Sequence, residues 1–412
     1  MPGHASLRRS EVAWLAAAVF VVSAGYGALL PVLPGWLMLM LPAATPVEIA
    51  RHMGFASGAY AMGVLVGAPL WGFISDRVGR NLVLLTGFAG YVVTLMTLLI
   101  PGGVGIEGLY LLRGSTGFFV AAIVPLVSVI AAERTVAAQR ARRFAWLGSM
   151  SLLGFLVGPA AIAAADWLAS SAGLRELAPA SIAQIVVLLT AAFGGATMIG
   201  LLGVLQASPV AARLPELPEA SRRYQSGLPL WGLSAVVMFV LAAFELGILL
   251  EGLRSPQVAS RAVALMFAEC SIVMLAVNAL LFFTTILHSK SADRLLGLGL
   301  ILAMAGLAVL WVQPAHGWMY LGVGLTAAGT GLVLPVVSYL AAGVSRAELA
   351  VTMGGLAAGA SLGQTLGSAA GGWLFGASTQ HGFGWLVLPL LFLLALFPFR
   401  GPRVSAIGSV RQ

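Results

Sequence analysis

The sequence GFISDRVGRN, residues 72–81, lies where two long apolar stretches meet, residues 48–74 and 82–100. An apolar segment of about 20 residues is long enough to cross a bilayer as a helix. The quoted sequence therefore predicts a short turn between two membrane helices. Within it, Gly79 permits a tight backbone turn, and Asp76 has arginines close by to form a network of ion pairs.

The composition indicates that lipid surrounds most of this chain. Of its 412 residues, 60% are hydrophobic and 9% are charged, and the mean hydropathy is +0.99. A typical soluble domain carries about 25% charged residues, which excludes a series of soluble domains. The length accommodates twelve membrane helices together with their loops.

Apolar stretches recur along the chain, six before and six after a polar linker. They lie at residues 12–38, 48–74, 82–100, 106–131, 144–167, 181–205, 229–252, 259–286, 295–313, 317–342, 349–375 and 383–399. The linker, residues 208–227, is too charged and proline-rich to span a membrane. We therefore expect an all-α membrane protein with twelve transmembrane helices, in which residues 1–207 and 228–412 form two pseudo-symmetric six-helix bundles.

The basic residues are distributed unevenly between the two sides of this predicted topology. With the N-terminus inside, seventeen of the 22 Lys and Arg residues fall on the inner side, four fall outside, and Arg113 lies within a helix. Cytoplasmic loops retain positive charge, so both termini are expected in the cytoplasm of a plasma-membrane or inner-membrane protein. The net charge of +8 then reflects topology, and we expect no nucleic-acid partner.

Patterns typical of enzymes and metal sites do not accompany these spans. The five histidines are far apart, Cys270 is the only cysteine, and Lys290 does not follow a phosphate-binding glycine loop. Residues 359–363 match the G-x-S-x-G pattern, but they lie inside an apolar helix instead of a strand-to-helix turn. We expect no enzymatic activity, no cofactor and no metal.

Two similar segments indicate an internal duplication. The sequence PLVSVIAA begins at Pro125 in the fourth span, and PVVSYLAA begins 210 residues later, at Pro335 in the tenth. Each segment lies in the fourth span of its half. Transporters built from such six-helix repeats bind substrate between the halves, near the middle of the bilayer.

The turn at residues 72–81 resembles the signature loop of the major facilitator superfamily, G-x-x-x-D-[RK]-x-G-[RK]-[RK]. The matching residues are Gly72, Asp76, Arg77, Gly79 and Arg80, whereas Asn81 replaces the last base. Physically, Gly72 lets helices approach closely. The resemblance implies that Asp76 faces the start of the eleventh span and belongs to a gate that opens when the two halves rock. The alternative is a plain turn that fixes topology.

Arg113 lies about eight residues into the fourth span, where a charge costs at least about 2.5 kcal/mol. The sequence around it, with Gly117, resembles the R-x-x-x-G element of proton-coupled members of the superfamily. Arg113 either tunes a proton-carrying acid, contacts an anionic group, or extends to the outer lipid headgroups.

The fifth span contains Gly154, Gly158 and Pro159, which resemble the antiporter motif of exporters in the superfamily. The trailing glycine pair of that motif is here Ile162-Ala163, so the motif is incomplete. It favours export over uptake, and ordinary packing of small residues between helices is the alternative.

Two acids and an amide lie within the second half. Glu269 is close to the predicted midplane in span eight, and Glu245 lies in the outer half of span seven. A carboxyl group in the membrane favours its neutral form and can load and release a proton. We expect Glu269, and next Glu245, to be the proton or cation site, although each could instead donate an interhelical hydrogen bond. Asn278 lines the cavity or bonds to a neighbour.

Together these features predict a secondary transporter that exports a drug-like compound or siderophore by proton antiport with alternating access. Expected partners are the small-molecule cargo, protons and membrane lipid, and a monomer is expected. Aromatic residues offer either cargo surface or interfacial anchors, namely Trp14, Tyr26, Trp36, Trp231, Trp373 and Trp385. Proton-coupled uptake of a metabolite is the alternative, followed by a non-transporting receptor.

Overall fold

A computed structural model describes residues 8–99, 105–134, 143, 146–158, 179–205, 224–254, 260–283, 292–312, 316–342, 346–377 and 381–396. All regular secondary structure in these ranges is helical. Within them, eight helices are long and apolar enough to cross a membrane, and three shorter apolar helices accompany them.

Helices α1 to α6 belong to the first half of the chain. Their bounds are Arg9–Met40 for α1, Pro46–Val78 for α2, Arg80–Leu98 for α3, Ile106–Val120 and Val124–Glu133 for the two segments of α4, Trp146–Gly158 for α5, and Pro179–Val204 for α6. These helices lie where the hydrophobic pattern predicts them, although the predicted fifth span extends beyond the described residues.

Helices α7 to α12 belong to the second half. Their bounds are Tyr224–Arg254 for α7, Ser260–Phe283 for α8, Ala292–Val312 for α9, His316–Ala342 for α10, Arg346–Ala377 for α11, and His381–Trp385 with Val387–Leu396 for α12. Most of the predicted linker, residues 206–223, lies outside the described residues. Its last four positions, from Tyr224 onwards, already belong to α7.

Local sequence explains where α2 begins and ends. Pro46 is the first helical residue and Thr45 precedes it. The backbone N–H of Thr45 donates to Glu48 Oε2 at 2.7 Å. The Glu48 N–H in turn donates to Thr45 Oγ1 at 3.3 Å, which completes a capping box. The helix stops at Gly79, whose φ of 101° is open to glycine and strained for other residues. The tight turn expected at Gly79 is therefore present.

The repeated proline has different effects in the two halves. Before Pro125, α4 is interrupted by a tight turn, in which the Ile123 N–H donates to the Val120 carbonyl at 2.9 Å. Proline lacks an N–H and crowds the preceding turn, which accounts for this break. In α10, by contrast, the helix continues through Pro335.

Successive helices alternate in direction, so the bundle has two ends. We call the end where α2 meets α3 the Asp76 end, and the end where α1 meets α2 the opposite end. Within the first half, α1 packs on α6, and α4 packs on α2 and α3; within the second, α7 packs on α11, and α10 packs on α8 and α9. The main contact between the halves is formed by α2 and α11.

Pairs of glycines show the internal symmetry of the packing. Gly154 and Gly158 press α5 against α1, and Gly363 and Gly367 press α11 against α7 in the same way. A Cβ on any of the four would collide with a backbone carbonyl oxygen of the facing helix, on Phe20, Ala24, Ala235 and Phe239 in that order. Small residues allow this close approach, which replaces the hydrophobic driving force absent in lipid.

A buried ion pair joins α1 to α4 at the Asp76 end. Arg134 Nη1 lies 3.0 Å from Glu11 Oε1, and the other carboxylate oxygen of Glu11 accepts a 2.8 Å hydrogen bond from the Arg8 backbone N–H. Only 4% of Glu11 is exposed. The carboxylate thus neutralises Arg134 at the end of α4 while capping the positive first turn of α1.

Replacing this carboxylate should destabilise the first half of the chain. We expect Glu11→Gln to lower the free energy of unfolding by about 1–3 kcal/mol, because it removes the charge attraction between Glu11 and Arg134 in a buried setting. Thermal unfolding of the purified protein in detergent measures the effect. Glu107→Gln, at an exposed acid in the first turn of α4, is the matched control and should leave the transition unchanged. Equal transitions for both variants would contradict this role of Glu11.

Candidate functional site

The two halves meet in a seam of glycines on α2 and α11, close to the opposite end of the bundle. A Cβ built on Gly54 would lie 2.7 Å from the Ser368 carbonyl oxygen and 2.8 Å from Gly372 Cα. One turn further along α2, a Cβ on Gly58 would lie 3.2 Å from the Thr365 carbonyl oxygen. The two backbones are therefore in direct contact, and nothing as large as a cargo molecule can pass between them here.

Closer to the Asp76 end, glycines of the same two helices have no close neighbours. A Cβ built on Gly72 of α2 or on Gly354 of α11 would meet no atom within 4 Å. The close helix approach expected at Gly72 is therefore absent from this conformation. Among the described residues, α2 and α11 are in tight contact near the opposite end and have open space beside these two positions.

The loop between α2 and α3 contains a short ion-pair network. Asp76 Oδ1 lies 2.6 Å from Arg80 Nη1, and the same nitrogen donates to Ser75 Oγ at 2.7 Å. Arg77 lies over the Phe73 ring, 3.8 Å from its centroid. The Asp76 side chain is 62% exposed. Its expected contact with the start of α11 stays a prediction, because the side chains at the beginning of that helix lie outside the described residues.

A cluster of three tyrosines surrounds Arg113 in the interior of the first half. Arg113 is 3% exposed, and its guanidinium lies 5.0 Å from the centroid of the Tyr60 ring. Tyr26 and Tyr91 are also close enough to interact electrostatically with it. Arg113 Nε, Arg113 Nη2 and the Tyr91 hydroxyl are buried without hydrogen-bond partners. Extension of Arg113 to the lipid headgroups is therefore wrong.

Tyr26 connects this cluster to the second half. Its hydroxyl accepts a 3.1 Å hydrogen bond from Gln364 Nε2, in the middle of α11. Its ring packs against Tyr60 at 5.0 Å and against Phe155 at 5.9 Å between centroids. Phe155 in turn contacts Phe267 of α8 at 6.2 Å. An aromatic layer thus bridges the two halves beside Arg113.

The two candidate acids lie on the second-half side of this layer, and both are partly buried. Glu245 is close enough to interact electrostatically with the Tyr26 hydroxyl and with Cys270. Glu269 faces α10 at Gly324, where an added Cβ would lie 3.1 Å from its Oε1 atom. Its Oε2 atom is buried without a hydrogen-bond partner, and no described residue forms an ion pair with either acid. Tyr26 therefore lies between the cation of one half and an acid of the other.

The remaining predicted residues have simpler environments. Asn278 Nδ2 donates to the Met274 carbonyl at 2.8 Å, so its amide bonds within its own helix. Gly154 and Gly158 make the close contacts with α1 described above, whereas Pro159 lies outside the described residues. Of the aromatic residues, Tyr26 joins the central cluster. Trp373 and Trp385 are about 60% and 57% exposed, on the outer surface of the bundle.

Sequence patterns alone do not single out Tyr60, Tyr91, Phe155 or Gln364. A signal for Gln364 was present, because a lone amide in the middle of an apolar helix is costly and calls for a partner. The tyrosines gave no such signal, since aromatic residues are common in membrane helices. Three of the chain's seven tyrosines surround Arg113, and that gathering depends on how α1, α2 and α3 pack.

The profile of the Major Facilitator Superfamily matches residues 15–290. The chain belongs to the major facilitator superfamily. Membership in this family of transport proteins agrees with the expectation that the chain is not an enzyme.

Several proteins with similar sequences are resistance proteins. Tetracycline resistance protein class B of Escherichia coli is 37% identical over 135 residues, 33% of this chain and 32% of that protein. Multidrug resistance protein 2 of Bacillus subtilis is 28% identical over 144 residues, 35% and 34% of the two chains. Quinolone resistance protein NorA of Staphylococcus aureus is 23% identical over 141 residues, 34% of each. The chain spans about one third of the length of these relatives.

Solved structures of transporters share the fold of this superfamily member along nearly its whole length. The human organic anion transporter MFSD10 covers 94% of this chain and 99% of its own, with a TM-score of 0.71 and 18% identity. The nucleoside transporter NupG covers 94% of this chain and 99% of its own, with a TM-score of 0.67 and 14% identity. The prediction of an all-α membrane protein with two six-helix bundles is confirmed.

The glycine seam can be tested by a disulfide. A Cβ on Gly376 of α11 would lie 3.4 Å from the Cβ atom of Ala50 on α2, close to the Cβ–Cβ separation of about 3.5–4.5 Å that bridged cysteines need. In a Cys270→Ser background, we expect the pair Ala50→Cys and Gly376→Cys to cross-link under mild oxidation. A mobility shift after cleavage of the linker between the halves reports the bond.

Gly372→Val should reduce this cross-linking, because its side chain would meet backbone atoms of α2. Gly354→Val, on the same helix but in open space, is the matched control and should leave the yield unchanged. An unchanged yield in Gly372→Val, or no cross-link in the parent pair, would mean that the seam is absent from the native conformations.

Proposed function

We propose that this chain is a secondary active transporter that exports a small molecule, a drug-like compound or a siderophore, by proton antiport with alternating access. It would act as a monomer in the plasma membrane, with both termini in the cytoplasm and lipid around its outer surface. The observation that carries the proposal is the group of charged residues on the two sides of Tyr26. Arg113 of the first half and Glu245 of the second both interact electrostatically with Tyr26, and Glu245 and Glu269 both interact with Cys270. None of the three has an ion-pair partner among the described residues.

The arrangement of the two acids supports proton coupling. Neither Glu269 nor Glu245 has a described cation beside it to hold it ionised, so each can be neutral in the membrane interior. Glu269 is our first choice as the proton site, because its buried Oε2 atom has no partner and its other oxygen faces α10. Proton loading from the outer side and release to the cytoplasm would then drive the rocking of the halves.

The close contact of α5 with α1 at Gly154 and Gly158 supports export over uptake, because these glycines belong to the motif that resembles the antiporter element. The names of the similar resistance proteins point in the same direction. The seam near the opposite end, together with the open space beside Gly72 and Gly354, supports a conformation in which cargo enters between the halves from the cytoplasm.

Accumulation of tetracycline and norfloxacin in cells tests the proposal. We expect cells that produce the chain to accumulate less of at least one of these probes than vector controls, because cargo is pumped out. An uncoupler that collapses the proton gradient should restore accumulation to the control level. Higher accumulation than in the control would indicate uptake, and lower accumulation that survives the uncoupler would contradict proton coupling.

Glu269→Gln should separate cargo flux from the proton gradient, because the amide cannot load a proton. In proteoliposomes with an imposed pH gradient, we expect the variant to exchange cargo but to lose the acceleration that the gradient gives the wild type. Glu107→Gln, at an exposed acid, is the control and should behave as wild type. Unchanged pH-driven flux in Glu269→Gln would exclude Glu269 as the proton site and leave Glu245 as the candidate. The variant Glu245→Gln tests that candidate in the same assay.

Asp76→Asn should abolish transport without lowering expression, because the amide loses its charge attraction to Arg80 and to the positive N-terminus of a helix. Asp76→Glu keeps the charge and should retain part of the activity. Transport rates normalised to the amount of protein in the membrane provide the measurement. Wild-type transport by Asp76→Asn would show that the loop fixes topology and does not gate.

A further inference from the structure

The central cluster of the first half contains hydrogen-bond donors without acceptors. Arg113 Nε and Arg113 Nη2 are buried and unpartnered, and so is the Tyr91 hydroxyl. The hydroxyl reaches α1 at Gly25, where any side chain would overlap it. Buried polar groups are almost always hydrogen-bonded, so two unpartnered guanidinium nitrogens and an unpartnered hydroxyl beside them require an explanation.

The two free nitrogens of Arg113 form one edge of its planar guanidinium. This edge presents two parallel N–H groups, the geometry that a carboxylate accepts in a bidentate pair. The described groups that act electrostatically on Arg113 are Tyr26, Tyr60 and Tyr91, and no carboxylate is among them. The protein thus provides a cation and a donor pair but leaves the anion to come from elsewhere.

The groups beside this edge are aromatic. Tyr60 lies against the guanidinium, and Tyr26 packs on both Tyr60 and Phe155. These rings offer stacking surface to a planar molecule, and the hydrogen bond from Gln364 to Tyr26 closes the same space from the second half. A ring system carrying an acidic group would match both the aromatic surface and the free edge of Arg113.

We propose that Arg113 and Tyr91 form an anion subsite that binds the carboxylate of an aromatic cargo, with its rings against Tyr26 and Tyr60. The assignment rests on the proposed transport function and adds a substrate class to it: aromatic acids, including zwitterions with an acidic group. The first half would then recognise the anionic end of the cargo. Glu269 and Glu245 remain available in the second half for a proton.

Equilibrium binding tests this subsite without any transport or proton gradient. The probes are fluorescein and 1-pyrenebutyrate, each compared with its methyl ester, in fluorescence anisotropy titrations of the purified full-length chain in detergent, at a pH where the acids are ionised. We expect each acid to bind about tenfold or more tightly than its ester, because the ester cannot accept two charge-assisted hydrogen bonds. If neither acid binds more tightly than its ester, the assignment is wrong.

Variants of Arg113 test whether this residue causes the preference for the acid over the ester. Arg113→Gln should bring acid and ester affinities to within about twofold of each other while ester binding persists, and Arg113→Lys should retain part of the difference because it keeps the charge without the fork. Arg51→Gln, at an exposed arginine near the opposite end, should retain the full preference. An acid preference that survives in Arg113→Gln would overturn the assignment.

A role of Arg113 limited to tuning a proton-carrying acid predicts a different result. It would change the pH dependence of transport and leave wild-type affinities for acid and ester equal. The proposed antiport can also fail independently, because an acid preference in binding with no gradient-driven flux would retain the subsite and reject the coupling.

Discussion

The contact between the backbones of α2 and α11 at Gly54 and Gly372 is the constraint on which the rest of the arrangement depends. Lipid provides no hydrophobic force to bring helices together, so their association relies on close packing and on polar contacts. Only glycine lets these two backbones touch. Once they do, α11 lies near enough to α1 for Gln364 to reach Tyr26, and the two halves enclose a common polar interior.

That interior is unusual because its charges are not paired with each other. Arg113 lies among tyrosines in the first half, and the acids lie in the second, with Tyr26 between them. A buried charge without a partner is costly, and membrane proteins tolerate it mainly at sites of function. Separation of opposite charges across an interface that opens and closes leaves each of them available to a different ligand, an anion on one side and a proton on the other.

Much of this architecture follows from local sequence. The recurring apolar stretches predicted where the helices lie. The turn at Gly79 has the positive φ that its sequence requires. The glycines of α5 make the close contacts expected of them. Other expectations depended on conformation or on neighbours. Gly72 has open space where a neighbouring helix was expected, and Asn278 bonds to its own helix because the Met274 carbonyl oxygen lies within reach.

The sequence by itself determined that lipid surrounds the chain, how many helices it has and where they lie, and which loop resembles that of the family. It also identified Arg113, Glu245 and Glu269 as charged residues whose burial in the membrane costs free energy. Those features follow from composition and spacing along one dimension. Only the tertiary structure decided that Tyr26, Tyr60 and Tyr91 gather around Arg113, that Gln364 joins the halves, and that one end is sealed. Such contacts join helices far apart in the chain, and the side chain that fills a gap between two helices depends on how both are rotated and tilted.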